Sequence, residues 1–287
     1  MASLPKISIV TPSLNQGPYI EDSILSVKQQ DYQNFEHIIV DGCSRDNTLD
    51  ILRRYPHVRW ISEPDRCQSE ALNKGFQMAT GDVVGWLNSD EYYFPDALKT
   101  IAQLAFDHPQ SDVFYGTGIA VNENGLLQRS HTSHEFDYRI LLYYGCFVPT
   151  VATFFRRNIF HEGFLIDLSY RVVMDYEYFV RLATHGKVFK YNRTLIGIFR
   201  WHGTNLSLQH EKRRKERLRV QRTWSRLKLP DWGYDALAQT YRAKRVAMKI
   251  LNGNYWRELD VLREAGNATQ WFREGEGRQT CARLMAM

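Results

Sequence analysis

Four short polar clusters punctuate the first part of the chain: Thr11-Pro12-Ser13-Leu14-Asn15, Asp41-Gly42, Glu63-Pro64-Asp65-Arg66 and Asn88-Ser89-Asp90-Glu91. Each follows an apolar run that reads as a strand, so each sets polar or acidic side chains where a parallel sheet meets its crevice. One acidic strand end is readily a helix cap; four in register are hard to explain by capping. None of the clusters holds a nucleophile poised by a base. The turn "DGCSRDNT", with its Ser, Asp and Thr ahead of a helix, instead builds a pocket at a strand's carboxyl end. A nucleotide is the first expectation for that pocket.

The elements that must position these clusters alternate at short spacing. "KISIVTP", "FEHIIVDG", "VRWISE", "DVVGWLNSDE" and "DVFYGTGIAV" read as strands. "YIEDSILSVKQQ", "NTLDILRRY", "SEALNKGFQMA" and "PDALKTIAQLAFDH" read as amphipathic helices between them. Asn47 or Thr48 is placed to cap the second helix, and Pro95 opens the fourth. Strands alternating with helices predict an α/β fold, a mainly parallel sheet covered on both faces. Past residue 120 the pattern loosens into hairpin-like pieces and the aromatic stretch "FDYRILLYYGCFVPTVATFFRR". A helix, "MDYEYFVRLATHG", and a strand, "VFKYNRTLIGIFRWH", follow. Beyond about Asn205 the sequence turns helical and charged. The expected organisation is one domain over 1–207, with halves 1–120 and 121–207, and a helical extension over 208–287.

Composition bounds the class. The 287 residues, 44% hydrophobic and 24% charged, suit a soluble globular protein. No apolar run approaches the roughly 18 residues of a membrane span, and "MASLPKISIVTP" lacks the pattern of a secretion signal. Cys43, Cys67, Cys146 and Cys281 form no CxxC pair, so neither a zinc site nor a disulfide framework is expected. A reducing cytoplasm is the expected location. The net charge of +5 is uneven: "EKRRKERLRVQR" carries seven basic and two acidic residues. That run is open to two readings, a solvated helix face or peripheral contact with anionic lipid at the inner face of the membrane. Nucleic acid is not expected as a partner, because no aromatic stacking platform or reading motif accompanies the run.

From about Lys6 to Ser207 the chain resembles the family 2 glycosyltransferases, inverting enzymes of the GT-A fold. The resemblance rests on "ISIVTPSLNQGPYIEDSILSVKQQDYQNFEHIIVDGCSRDNT", "SEPDRCQSEALNKGFQMATGDVVGWLNSDEYYFPDAL" and "VMDYEYFVRLATHGKVFKYNRTLIGIFRWHGTNLS", in that order. It implies that Thr11, Pro12 and Asn15 line a nucleoside pocket, and that Asp41 accepts a hydrogen bond from the base. A carboxylate is acceptor-only, which suits the N3–H of uracil. It further implies that Asp65 and Arg66 flank the base or diphosphate and that Asn73 anchors that wall. "NSDE" takes the place of the family's Asp-x-Asp element. Asp90 would then hold Mn²⁺ or Mg²⁺, with Asn88 reaching ribose or metal-bound water and Glu91 turned towards the sugar. Asp175 matches the catalytic aspartate, which takes the proton of the acceptor hydroxyl; Glu177, two residues on, points elsewhere on a helix. His202 matches a late histidine near the diphosphate or metal, and a satisfied structural histidine is the other reading. Trp201, Tyr143, Tyr144 and Phe147 would stack on acceptor sugars or simply pack. Met174, Cys43 and Cys67 depart from the family; where a cysteine takes positive φ the cost is about 1 kcal/mol or more.

The function so implied is metal-dependent, inverting transfer of a sugar from a nucleotide sugar, UDP-linked, to a saccharide or lipid-linked saccharide in surface polysaccharide synthesis. The alternatives are a nucleotidyltransferase, for which "TPSLNQG" lacks a basic residue, and a non-catalytic sugar-nucleotide or carbohydrate-binding protein.

Overall fold

The computed structural model describes residues 3–254 except 132 and 204, together with Trp256. Cys281 and the rest of the expected extension past 256 lie outside the described residues. In chain order the first half comprises β1 (Ile7–Ser13), α1 (Ile20–Lys28), β2 (Phe35–Asp41), α2 (Thr48–Arg53), β3 (Val58–Ser62) and α3 (Gln68–Met78). It continues through β4 (Val83–Trp86), β5 (Tyr92–Tyr93), α4 (Ala97–Asp107) and β6 (Val113–Asn122). The second half adds β7 (Leu127–His131), a π-helical turn (Ile140–Tyr144), β8 (Thr153–Arg156), α5 (Asn158–His161), α6 (Met174–Thr184), β9 (Phe189–Trp201), α7 (His210–Trp224) and α8 (Asp231–Leu251).

One sheet runs β3-β2-β1-β4-β8-β6-β9-β5, with β7 paired to β6. β3, β2, β1, β4, β6 and β9 share one direction; β8, β7 and β5 oppose it. The period of two along β1 divides its side chains between two helix layers. Ile7 and Ile9 pack with Val27, Leu98 and Ile101 on one face, and Val10 with Leu72 and Phe76 on the other. α3 lies so close to β1 that a Cβ on Gly75 would sit 2.3 Å from Val10 Cγ1.

Three local expectations change. β8 comes from the aromatic stretch and inserts antiparallel between β4 and β6; buried on both faces, it carries no alternation to reveal it. Asn47 occupies the N-cap of α2 but makes no side-chain cap bond. Asp46 does so instead, accepting the Thr48 N–H at 3.0 Å while its other oxygen accepts the Gly17 N–H at 2.9 Å. Pro95 stands before α4, which begins at Ala97 behind Asp96 in the left-handed region, φ 64°.

The helices after residue 208 are integrated with the sheet domain. The Gln221 side chain, fully buried, donates to the carbonyls of Leu142 and Tyr143 at the π turn. Glu216, in the middle of the basic run, is buried and accepts the backbone N–H groups of Arg171, Val172 and Val173 at 2.9–3.2 Å. Its carboxylate thus sits at the positive end of α6. Glu216→Ala strands those donors and is expected to cost about 2 kcal/mol, lowering Tm by about 4–8 °C. A Tm within about 1 °C of wild type in a thermal melt would show that water satisfies them equally well.

Candidate functional site

The carboxyl ends of β1, β2 and β4 open into a cleft of about 1620 Å³. Pro12, Asn15, Asp65, Arg66, Asn88, Asp90, Asp175 and His202 line it. Thr11, Asp41 and Asn73 stand behind its wall. Thr11 is fully buried and hydrogen-bonds to His37 Nε2 at 2.9 Å. Asn73 clamps Ile166 through both its N–H and its carbonyl, each at 2.9 Å.

Asp41 is fully buried, and its oxygens are already engaged. Oδ2 accepts the Ser44 N–H at 2.9 Å and the Ser62 hydroxyl at 2.7 Å, and Oδ1 accepts the Ser44 hydroxyl at 2.5 Å. These three bonds take most of the roughly four acceptor sites of the carboxylate within the protein itself. The turn that Asp41 holds carries Cys43 at φ 65°, so the cysteine does take the strained conformation, whereas Cys67 is extended. Ser44 extends the arrangement to the first loop, accepting the Asn15 N–H at 2.7 Å. Asn15, itself at φ 54°, accepts the Arg45 N–H at Oδ1, at 2.8 Å. Asp41→Ala removes this anchor. It is expected to cost about 1.5–3 kcal/mol of stability and to raise the UDP dissociation constant about tenfold. A lower Tm with unchanged UDP affinity by calorimetry would confine Asp41 to a structural role.

Of the two acidic strand ends Asp41 and Asp65, it is Asp65 that lines the cleft. Burial raises its pKa, against the pull of Lys74, whose Nζ lies 2.7 Å from Oδ1 and 2.6 Å from Glu63. Arg66 pairs with Glu70 at 2.8 Å at the rim, well exposed.

At the centre of the cleft the Asn88 Oδ1 accepts both Trp86 Nε1 at 2.8 Å and Gln68 Nε2 at 2.7 Å. With both lone pairs used, this oxygen is turned from any ion, and Asn88 contributes structure to the loop. Glu91 is almost wholly buried and bonded to the Asn88 N–H at 3.2 Å. Burial, then the charge of Asp90, raise its pKa well above the carboxylate range. Asp90 Oδ2 meets His202 Nε2 at 2.8 Å. The His202 ring stacks on Tyr19 with centroids 5.0 Å apart, and the His202 backbone N–H donates to Asn205 Oδ1 at 2.6 Å. Behind them Arg200 pairs with Asp22 at 2.6 Å between the rings of Tyr19 and Tyr92. Among the described residues no group of three or more His, Cys, Asp and Glu side chains is arranged to hold an ion. Mg²⁺ and similar ions need only one or two protein ligands when phosphates and waters supply the rest. The hard oxygen of Asp90 with the imidazole of His202 fits that requirement.

Asp175 lies in the first turn of α6, recessed in the cleft. Its Oδ1 accepts the Tyr176 N–H at 2.7 Å and its Oδ2 the Thr150 hydroxyl at 3.1 Å. Burial raises its pKa, and hydrogen bonds from Tyr176, Thr150 and Cys146 only partly offset this. Glu177 turns away and pairs with Arg181 at 2.8 Å, nearly buried. Tyr144, Phe147 and Trp201 line the cleft. Tyr143 is buried, bonded to Ser225 and stacked on Tyr241. Sequence reading missed Asn205, Tyr19, Thr150, Cys146 and the pair Asp22–Arg200. Asn205 alone had a signal, standing three residues after His202.

A mostly parallel sheet with an acidic strand-end loop facing a recessed helix carboxylate defines a GT-A glycosyltransferase domain. The chain belongs to glycosyl transferase family 2, whose profile matches residues 8–164. It is 38% identical over 123 residues to the putative teichuronic acid biosynthesis glycosyltransferase TuaG of Bacillus subtilis, covering 41% of this chain and 48% of that protein. It is 26% identical over 277 residues to the chondroitin synthase of Pasteurella multocida, covering 91% of this chain and 27% of that protein. The chain thus spans about half or less of these relatives' length. A PGL/p-HBAD biosynthesis glycosyltransferase of Mycobacterium bovis is 32% identical over 183 residues, 62% of this chain and 69% of that protein. The crystal structure of S. aureus TarS 1–349 in complex with UDP-GlcNAc shares the fold at TM-score 0.62 and 17% identity, covering 96% of this chain and 89% of that one. The mannosyltransferase PcManGT from Pyrobaculum calidifontis, in complex with GDP-Man and Mn²⁺, does so at 0.60 and 15%, covering 98% and 87%.

Proposed function

We propose that the chain moves a sugar from a nucleotide sugar, UDP-linked, to a hydroxyl of a saccharide or lipid-linked saccharide, inverting the anomeric centre. The observation that carries this reading is that one cleft is lined by both the Asp90–His202 pair and the recessed Asp175. Pro12, Asn15 and Asp65 would line the nucleoside end. Mn²⁺ or Mg²⁺ held by Asp90 and His202 would neutralise charge on the departing diphosphate. Asp175 takes the proton as the acceptor oxygen attacks the anomeric carbon from behind and the bond to the diphosphate breaks. Its raised pKa makes it a stronger base than an exposed aspartate. Residues 1–120 would serve the donor and 121–207 the acceptor. The TuaG and chondroitin synthase likenesses support a place in polysaccharide synthesis. No helix among the described residues is long and apolar enough to cross a membrane. The outer face of α7, with Lys215 79% exposed on its side chain, supports peripheral contact with anionic lipid at the cytoplasmic face.

A donor screen tests the reading by measuring release of UDP or GDP with Mn²⁺ present, first with water and then with mixed glycans as acceptor. Release that rises with acceptor and metal is expected. UDP binding without turnover for any donor would favour the non-catalytic alternative, for which the engaged oxygen of Asn88 speaks.

A further inference from the structure

The basic run is not wholly a solvated face. Arg213, Arg214 and Arg217 of α7, with Arg245 and Lys249 of α8, line the same cleft as Asp175. Among the described residues these two helices contribute no acidic side chain to that lining. Asp235 lies outside the lining and is shared by two guanidinium groups, Arg214 at 2.8 Å and Arg217 at 2.7 Å. One carboxylate between two guanidiniums leaves net positive charge. Lys249, 7% exposed, forms the buried part of that lining.

The wall stands on the Asp175 side of the cleft. Arg217 bears electrostatically on Tyr176, the neighbour of Asp175. The Arg245 guanidinium lies 5.2 Å from the centre of the Tyr144 ring, two residues before Cys146, whose thiol contacts Asp175. The nucleoside end is lined from other elements, by Pro12, Asn15 and Asp65. Positive potential here therefore greets whatever approaches Asp175 to be deprotonated.

We propose that the acceptor is itself an anion, a saccharide or polyol chain bearing phosphate or carboxylate groups, held by the cationic wall of α7 and α8. This rests on the reading of the cleft as a donor–acceptor site. Guanidinium groups match both oxyanions bidentately, and a wall that carries one sign of charge raises the local concentration of a charged substrate beside it.

The test measures binding to the full chain saturated with UDP, by calorimetry at low and moderate salt. The probes are a glycerol-phosphate oligomer, a uronic-acid-containing octasaccharide, a neutral maltose-series octasaccharide, and vesicles with and without anionic lipid. Both anionic oligomers, or one of them, should bind at least about tenfold tighter than the neutral one, with the advantage shrinking as salt rises. Which of them binds tells phosphate from carboxylate. Arg213→Gln with Arg245→Gln should weaken that binding about tenfold or more and leave UDP affinity unchanged. Equal binding of neutral and anionic oligomers by the wild-type chain overturns the proposal without any variant. So does a variant that loses UDP affinity alone, which moves the wall to the donor, or one that loses only vesicle binding, which gives it to the membrane. Failure of UDP itself to bind would instead sink the donor–acceptor reading on which the proposal rests.

Discussion

Asp175→Asn is expected to slow turnover by about 10²–10⁴-fold, the range of a positioned general base, while UDP affinity stays nearly constant. Asparagine keeps the size of the side chain, can accept the Tyr176 N–H at Oδ1 and can donate from Nδ2 to a turned Thr150 hydroxyl, but it cannot take a proton. The sign of the pH dependence follows from burial. The wild-type base works only ionised and its pKa is raised, so turnover should climb with pH through a limb above the ordinary aspartate range. Asp175→Asn should lose that limb. The folded-state pKa exceeds the unfolded one, so the group favours folding below the unfolded pKa and loses that contribution as pH rises through the folded one. At neutral pH the variant should therefore melt no lower than wild type, which separates lost chemistry from lost structure. Glu177→Gln is the control: its carboxylate is committed to Arg181, and turnover should change by less than about tenfold, short of the general-base range. If Asp175→Asn keeps more than about a tenth of turnover, outside that range, and Glu177→Gln does not, the roles are reversed. If both stay active, the inverting mechanism is wrong.

Asp90→Ala should remove Mn²⁺-dependent turnover, a fall of at least about 100-fold if several kcal/mol of charge stabilisation disappear. Its contacts are to His202 and Asn205, neither of which is part of the apolar core, so the fold should survive. A thermal melt gives a second readout: UDP should stabilise the wild-type chain more with Mn²⁺ than without, and the variant should lose that difference. Full turnover of Asp90→Ala at saturating Mn²⁺ would take Asp90 out of the metal site.

The residues legible in the sequence were those whose signal is local. Strand-end positions such as Asn15, Asp65 and Asp90 are fixed by the end of an apolar run, and they do meet in one cleft. Asp175 and Glu177 separated as helical spacing requires. Asp41 shows the limit of such reading. Its position at a strand end was visible, but the two serines that occupy its carboxylate come from the turn after β2 and the end of β3, and only the folded chain brings Ser62 beside it. Glu216 was hidden for another reason. An acid within a basic run looks like a solvated pair, and nothing in its spacing tells that three backbone donors just ahead of α6 await it. β8 was masked by the aromatic run that makes it.

The ion pair Asp22–Arg200 joins residues 178 positions apart. A chain leaving the ribosome at about 5–20 residues per second takes roughly 10–35 s to travel from one to the other. Throughout that interval Arg200 is not there to pair with the carboxylate on the first helix, and burying a charge away from its partner is costly. The buried form of this pair therefore waits for the last described strand, which brings Arg200 to Asp22 and, two residues later, His202 to Asp90. One stretch of chain completes both contacts.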